Sequence, residues 1–152
     1  MIEVYYTTHD GDGHTAVWAL LARALGGEVP PVARTANGKP YFTADGAPTF
    51  SLSHTKTLAV VALSRVGMPL GVDAEPCARR ISAAVARRFL EGDATIDAWT
   101  RRESFGKLTG EGVAAQQTKP DARHTFVTMT AADHVLTVCT LCGEPVAQPR
   151  EL

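Results

Sequence analysis

The sequence has few cysteines, no excess of charge of either sign and no long hydrophobic run. Three cysteines are too few, and an odd number, for the disulfide framework of a small secreted domain. The 15 basic residues are balanced by 16 acidic ones, which gives no basic excess for nucleic acid or a membrane surface. The longest aliphatic run, residues 58–63, is too short to span a bilayer. We therefore expect a soluble, cytoplasmic protein with no nucleic-acid or membrane partner.

The two ends of the chain carry no feature that changes this expectation. The first residues, MIEVYYTTHD, lack the basic segment and apolar core of a signal peptide. Near the other end, Cys139 and Cys142 have the CxxC spacing used in zinc and redox sites, but no second pair accompanies them. Because this segment has the pattern of a strand, we interpret both residues as buried thiols.

The hydrophobic pattern predicts the element order β–α–ββ–β–αα–ββ. Strands are predicted over residues 2–7, 48–53, 57–64, 70–75, 124–130 and 134–141, and helices over residues 15–25, 78–90 and 93–109. Residues 28–42 are predicted to be a turn-rich loop, and residues 145–152 a frayed tail. The order predicts an α+β fold with an N-terminal lobe (residues 1–66) and a C-terminal lobe (residues 67–152) in one compact unit.

The loop HDGDGH before the first helix contains four potential metal ligands, which are His9, Asp10, Asp12 and His14. Aspartate and glycine are also the usual residues of a loop that caps a helix N-terminus. We favour the capping interpretation over a metal cluster.

Two carboxylates in GVDAEP are the first candidates for chemistry. Asp73 and Glu75 are two residues apart on a predicted strand, so both side chains leave the same face, whereas Val72 and Ala74 face the other way. Adjacent carboxylates repel each other unless a cation lies between them. The pair therefore predicts a site for a hard cation such as Mg²⁺, with solvated strand-end carboxylates as the alternative.

A third carboxylate and an ammonium lie on the predicted helix at residues 93–109. Trp99, Glu103 and Lys107 recur every four residues and form one stripe. An acid that completes a metal shell or accepts a proton, beside a lysine that neutralises phosphate oxygens, suits phosphoryl transfer. Exposed helices also carry such pairs without any function.

Two further segments present groups that can contact an anion. Ser53 and His54 lie at the end of a predicted strand, and Gly38, Lys39 and Pro40 form a turn that presents a lysine. Either segment alone is a weak signal.

Taken in order, the motifs GKPYF (38–42), FSLSHT (50–55), GVDAE (71–75) and WTRRESFGK (99–107) resemble those of the 4′-phosphopantetheinyl transferase superfamily. Because the SH segment precedes the DxE segment, the chain looks like the surfactin-synthetase-activating type, with a shortened N-terminal lobe. The resemblance implies two pseudo-symmetric α+β lobes with the site in the cleft between them. One chain then contains a whole site, and a monomer is expected.

The resemblance implies a holo-[acyl-carrier-protein] synthase activity. The enzyme would transfer the 4′-phosphopantetheine of coenzyme A (CoA) to a serine of an apo acyl or peptidyl carrier protein and release 3′,5′-ADP. Mg²⁺ is the implied cofactor, with Asp73, Glu75 and Glu103 as its ligands. Glu103 would also be the general base.

The resemblance also implies which residues bind CoA. Lys107 would hold a pyrophosphate oxygen, and Ser53 and His54 would contact phosphates, with His54 counted among the catalytic residues. The remaining implied CoA contacts are Gly38, Lys39, Pro40, Arg102 and Arg23.

Some features depart from the family pattern, and other interpretations stay open. Arg102 replaces the family lysine before the catalytic acid. The first alternative is a catalytically impaired relative that binds CoA or a carrier without transfer. A second is a metal-dependent nuclease, which the balanced charge disfavours. A third treats the helix arginines as solvated surface, namely Arg79, Arg80, Arg87, Arg88, Arg101 and Arg102.

Overall fold

The computed structural model describes residues 1–141 and 143–152, and in this part of the chain it has an α+β fold with three sheets and three helices. The strands are β1 (Ile2–Thr8), β2 (Val32–Arg34), β3 (Pro40–Phe42), β4 (Thr49–His54), β5 (Leu58–Ser64), β6 (Leu70–Pro76), β7 (His124–Ala131), β8 (His134–Leu141) and β9 (Arg150–Glu151). The helices are α1 (Gly13–Leu25), α2 (Ala83–Phe89) and α3 (Ile96–Thr109).

The first large sheet has the strand order β4-β5-β1-β9. Every residue of β5 is buried, because one face of this sheet packs on α1 and the other on the second sheet. This double coverage explains why β5 is a continuous aliphatic run and not an alternating strand.

The second large sheet has the order β6-β8-β7 and is antiparallel throughout. Its inner face packs on the first sheet, where Val72 and Val138 share one hydrophobic core with Val4 and Val60. Helix α3 covers its outer face. The boundary predicted at residues 66/67 falls in the turn between β5 and β6, and the core continues across it.

Helix α3 lies directly on β6 at Gly71. A Cβ at this position would come within 2.0 Å of the Ser104 carbonyl oxygen and 2.5 Å of the Leu108 amide nitrogen. Only a residue without a side chain allows two backbones to approach this closely. Gly71 therefore sets the spacing between β6 and α3.

The helices begin where polar side chains cap them. Thr95 and Ser82 accept hydrogen bonds from backbone amides in the first turns of α3 and α2. Helix α2 starts five residues later than predicted, because Ser82 caps it and the arginines before it lie outside the helix. None of the helices in residues 1–141 and 143–152 is long and apolar enough to cross a membrane.

Two segments that were predicted to lack regular structure contain short strands. The predicted loop at residues 28–42 contains β2 and β3, which pair as a short hairpin. The predicted frayed tail pairs instead with the N-terminal strand: Val146 bridges Ile2, and β9 runs parallel to β1. In both places the strands have three residues or fewer, which is too short for an alternating pattern to be recognised.

The predicted C-terminal hairpin is confirmed. Strands β7 and β8 pair in full, and Ala132 and Asp133 turn the chain with positive φ angles of 45° and 60°. Cys139 is buried in β8, and burial raises the pKa of its thiol to about 12. Cys142, the other half of the CxxC pair, lies outside the described residues.

Candidate active site

The carboxylates of Asp73 and Glu75 leave the outer face of β6, towards α3, as their spacing predicts. Val72, which precedes Asp73, and Ala74, which lies between the two acids, belong to the core between the two sheets. The alternation of the strand therefore brings both acids under the predicted Trp99–Glu103–Lys107 stripe.

Asp73 is the buried centre of this arrangement. The Lys107 ammonium lies 2.9 Å from its Oδ1, and the Ser53 hydroxyl donates to the same oxygen at 3.3 Å. Its second oxygen, Oδ2, is buried without a hydrogen-bond partner in the described part of the chain. Burial raises the pKa of the Asp73 carboxyl, and the charge of Lys107 opposes this rise only in part.

Glu75 is held by two side chains. The indole Nε1 of Trp99 donates to its Oε1 at 3.1 Å, and Arg79 forms an ion pair with the same oxygen. The Arg79 guanidinium also lies over the Trp99 ring, 5.2 Å from its centroid. The pairing of Arg79 differs from the alternative in which the helix arginines are solvated surface, and the sequence does not predict it. The i, i+4 spacing of Glu75 and Arg79 is a weak signal, because the chain is a turn there and not a helix.

Glu103 lies half-buried on α3 between Trp99 and Lys107. Burial raises the pKa of its carboxyl, the charges of Asp73 and Glu75 raise it further, and Lys107 acts in the opposite direction. Within the described residues, no hydrogen bond engages this carboxylate. The three predicted acids therefore lie within electrostatic range of one another, although they come from two separate segments.

The acids provide the oxygen ligands that a hard divalent cation takes, but they do not form a closed shell by themselves. In residues 1–141 and 143–152, no group of three or more His, Cys, Asp and Glu side chains is arranged to hold a metal ion. However, Mg²⁺ commonly takes one or two carboxylates and completes its shell with phosphate oxygens and water. Asp73 Oδ2 is unpartnered and the pKa of Glu103 is raised. Both observations indicate that the nearby cationic side chains do not fully neutralise the carboxylates.

His54 connects this cluster to the N-terminal end of α1. Its ring packs on Gly13, where an added Cβ would lie 2.4 Å from Nδ1. Partial burial lowers the pKa of His54, and the charges of His14 and Lys107 lower it further. The imidazole therefore lies within electrostatic range of Lys107.

The HDGDGH loop has the capping geometry that we favoured. Asp12 accepts a hydrogen bond from the Thr15 amide at 2.8 Å and one from the Thr15 hydroxyl at 2.7 Å. His9 bonds through Nε2 to the Thr55 carbonyl at 3.1 Å. This loop thus closes the helix N-terminus and supports the segment that carries His54.

The predicted Gly38–Lys39–Pro40 turn docks against the C-terminal end of α3. Lys39 Nζ donates to the Leu108 carbonyl at 2.8 Å, and burial lowers the pKa of this ammonium. The turn and Lys107 together line a cavity of about 240 Å³, whose apolar wall includes Phe50. The cavity extends from Lys107 to the GKP turn, and Asp73, Glu75 and Glu103 are not part of its lining.

Ser53 supports Asp73 from within the protein. It is buried, and its hydroxyl accepts from the Ala74 amide at 3.1 Å while it donates to Asp73. Ser51, two residues earlier, accepts from the Val72 amide at 3.0 Å. The two serines therefore join β4 to β6 across the two sheets. The resemblance implies a phosphate contact for Ser53 and does not predict this supporting role, for which the available signal is two serines on one face of a buried strand.

Two predicted CoA contacts do not reach this cluster. Arg23 lies in the last turn of α1, ten residues and about 15 Å of helix from Gly13. Arg102 lies beside Glu103 in sequence but on another face of α3. Its guanidinium donates to the Val113 carbonyl at 3.2 Å and stacks on Phe89, 5.6 Å from the ring centroid.

Comparison of the sequence with models of known protein families and with curated proteins gives no match. The structure brings together Asp73, Glu75, Glu103 and Lys107, with His54 and the GKP turn at its two ends.

Proposed function

We propose that this chain is a Mg²⁺-dependent 4′-phosphopantetheinyl transferase of the surfactin-synthetase-activating type. Its substrates are CoA and an apo acyl or peptidyl carrier protein, and its second product is 3′,5′-ADP. The proposal includes a two-lobe arrangement with the site in the cleft between the lobes, and a monomeric enzyme in the cytoplasm.

One observation carries the proposal: the acid–lysine stripe of α3 lies on the Asp73–Glu75 face of β6. The 2.9 Å contact of Lys107 with Asp73 joins two motifs that are 34 residues apart. The GKP motif opens onto the same cavity as Lys107. Three of the four motifs that suggested the family are thus neighbours in space, and the fourth supplies Ser53, which bonds to Asp73.

The roles of the residues follow from their charge and burial. Lys107 neutralises charge on the pyrophosphate as the serine hydroxyl of the carrier attacks the β-phosphorus. Glu103 accepts the proton of that hydroxyl, for which a carboxyl with a raised pKa is suited. A P–O bond to the serine forms, the pyrophosphate P–O bond breaks, and 3′,5′-ADP leaves with the bridging oxygen.

The metal would be held by Asp73, Glu75 and Glu103. When bound, Mg²⁺ supplies charge neutralisation for the pyrophosphate oxygens. Lys107 and Arg79 partly neutralise two of these acids, Asp73 and Glu75. Ser53 and Trp99 keep the Asp73 and Glu75 carboxylates oriented towards α3.

The test is an incubation of the full chain with CoA, Mg²⁺ and a panel of apo carrier proteins, followed by intact-mass measurement. The proposal requires a mass increase of one phosphopantetheine on at least one carrier, and release of 3′,5′-ADP. If no carrier gains mass but CoA raises the melting temperature of the chain, the catalytically impaired relative is the better interpretation. If neither occurs, the transferase assignment is wrong.

A further inference from the structure

A second cavity, separate from the one at the GKP turn, lies on another face of α3. It has a volume of about 260 Å³, and we refer to it as the arginine cavity. It opens between the C-terminal end of α2, the helix face that carries Arg102, and the loop from residue 111 to residue 123. The residues on which its chemistry depends are Phe89, Arg101, Arg102, Phe105, Gln116 and Phe126.

Two buried hydrogen-bond donors in this lining have no acceptor in the part of the chain that the structure describes. They are the Nε of Arg102 and the Nε2 of Gln116. A buried donor without a partner destabilises the folded chain, and the cost is larger when the donor is charged. The Arg102 guanidinium uses another nitrogen to bind the Val113 carbonyl, which holds the group in place. Two donors on one small cavity suit a single acceptor group that bridges them.

The walls of the arginine cavity are aromatic. Phe105 and Phe126 are neighbours, with ring centroids 6.4 Å apart, and Phe89 lies under the Arg102 guanidinium. Arg101 covers Phe126 at 4.4 Å. Apolar walls with a few convergent polar groups are characteristic of small-molecule sites, and this volume is below the roughly 300–1,000 Å³ of drug-sized pockets.

The charges around the cavity favour a monoanion. Arg101 and Arg102 provide positive charge, whereas Glu91 and Asp93 are exposed acids in the same lining. A phosphate dianion would be repelled by the two acids more strongly than a carboxylate. A carboxylate also accepts two parallel N–H donors, which is the geometry that arginine and amide groups offer.

We propose that the arginine cavity binds a small organic carboxylate with an aromatic or aliphatic body. The carboxylate accepts from Arg102 Nε and Gln116 Nε2, and the apolar body packs among Phe89, Phe105 and Phe126. The inference does not depend on the proposed transferase activity, because the site uses neither the acids of β6 nor Lys107.

The experiment measures binding of phenylacetate to the full chain by ligand-observed NMR and by thermal shift, without CoA or metal. We expect saturable binding with a Kd of about 1 mM or tighter, and no saturable binding of the neutral analogue phenylacetamide. Arg102→Met and Gln116→Leu each remove one donor, and each is expected to weaken binding about tenfold or more. Arg87→Met changes an exposed arginine outside the cavity and is the matched control.

Binding that is weakened by both cavity variants and retained in the control supports the site. Absence of saturable binding, equal binding of the amide, or wild-type binding by the cavity variants would overturn it. If Arg102→Met does not fold, Gln116→Leu decides alone. Since the measurement contains no CoA, its failure leaves the transferase proposal intact.

Discussion

Helix α3 contacts two clusters of buried polar groups in opposite ways. Towards β8 and β7 lies a threonine cluster, in which the Thr137 hydroxyl bonds to Thr100 at 2.7 Å and to Thr128 at 3.0 Å. Towards β6 lies the acid cluster, in which Asp73 has an unpartnered oxygen and Glu103 has a raised pKa. The threonine hydroxyls bond to one another, whereas burial and neighbouring carboxylates raise the pKa of Asp73 and of Glu103. The comparison indicates that the threonines hold the helix in place, whereas the acid cluster has the unpartnered oxygen and perturbed pKa values that are more common at functional sites.

The largest expected effect is on the rate of transfer, after a substitution in the acid cluster. Glu103→Gln removes the proton acceptor and one proposed metal ligand without changing the size of the side chain. Transfer should fall by about 10²–10⁴-fold, as expected for loss of a general base. The measurement is the rate of mass gain by the carrier protein. Asp97→Asn, on the exposed first turn of the same helix, is the control, and unchanged turnover in Glu103→Gln would refute the role.

Metal removal should affect transfer, which depends on the acid cluster, and not stability, to which the threonine cluster contributes. A chelator is expected to stop transfer, and added Mg²⁺ is expected to restore it, because the three acids require a cation to bind pyrophosphate. The melting temperature of the chain should change little, since the threonine cluster needs no metal. Transfer that continues in the presence of the chelator would contradict the proposed ligands.

A break in the threonine cluster should lower stability and spare the chemistry. Thr137→Val removes the hydroxyl that Thr100 and Thr128 share. Thr100 keeps its bond to the Asp97 carbonyl and Thr128 is exposed, so the expected loss is that of two ordinary hydrogen bonds, about 0.5–1.5 kcal/mol for each of the two. The free energy of unfolding in urea should fall by this amount. Thr130→Val, at an exposed position of β7, is a suitable control. A large loss of transfer in folded Thr137→Val would show that the two clusters are not independent.

The smallest effect concerns the pH dependence of stability. The pKa of Glu103 is raised from its ordinary value of 4.5, so the folded chain loses stability as the pH rises through that raised pKa. Glu103→Gln should therefore raise the melting temperature at neutral pH, and the measurement is thermal unfolding of both chains across the pH range. The gain should vanish below pH 4.5, where wild-type Glu103 is protonated in both states. A variant that is less stable at neutral pH would indicate that Glu103 is a structural residue.

The local pattern of the chain predicted the parts that depend on near neighbours in sequence. The alternation of GVDAE predicted which side chains of β6 face outward, and the four-residue spacing on α3 predicted the Glu103–Lys107 stripe. The short strands β2, β3 and β9 were missed, because their partners rather than their own patterns make them strands.

The supporting contacts of the site could not be predicted for the same reason. Ser53 reaches Asp73 only because β4 and β6 meet across the two sheets. The helical period alone indicates that Arg102 lies on another face than Glu103, but its contacts with Phe89 and the Val113 carbonyl form only because separate segments pack there. Contacts of this kind depend on how separate elements pack, and a single sequence does not encode them in a pattern that can be recognised locally.

Gly71 has a consequence that reaches beyond its own position. Since backbone atoms of α3 fill the space where its side chain would be, even one methyl group there must push the helix outward. Such a displacement would widen the gap between Lys107 and Asp73 and leave every polar group of the site chemically unchanged. The distance between the acids of β6 and the lysine of α3 is thus set by the absence of a side chain at a position that carries no charge and makes no polar side-chain contact.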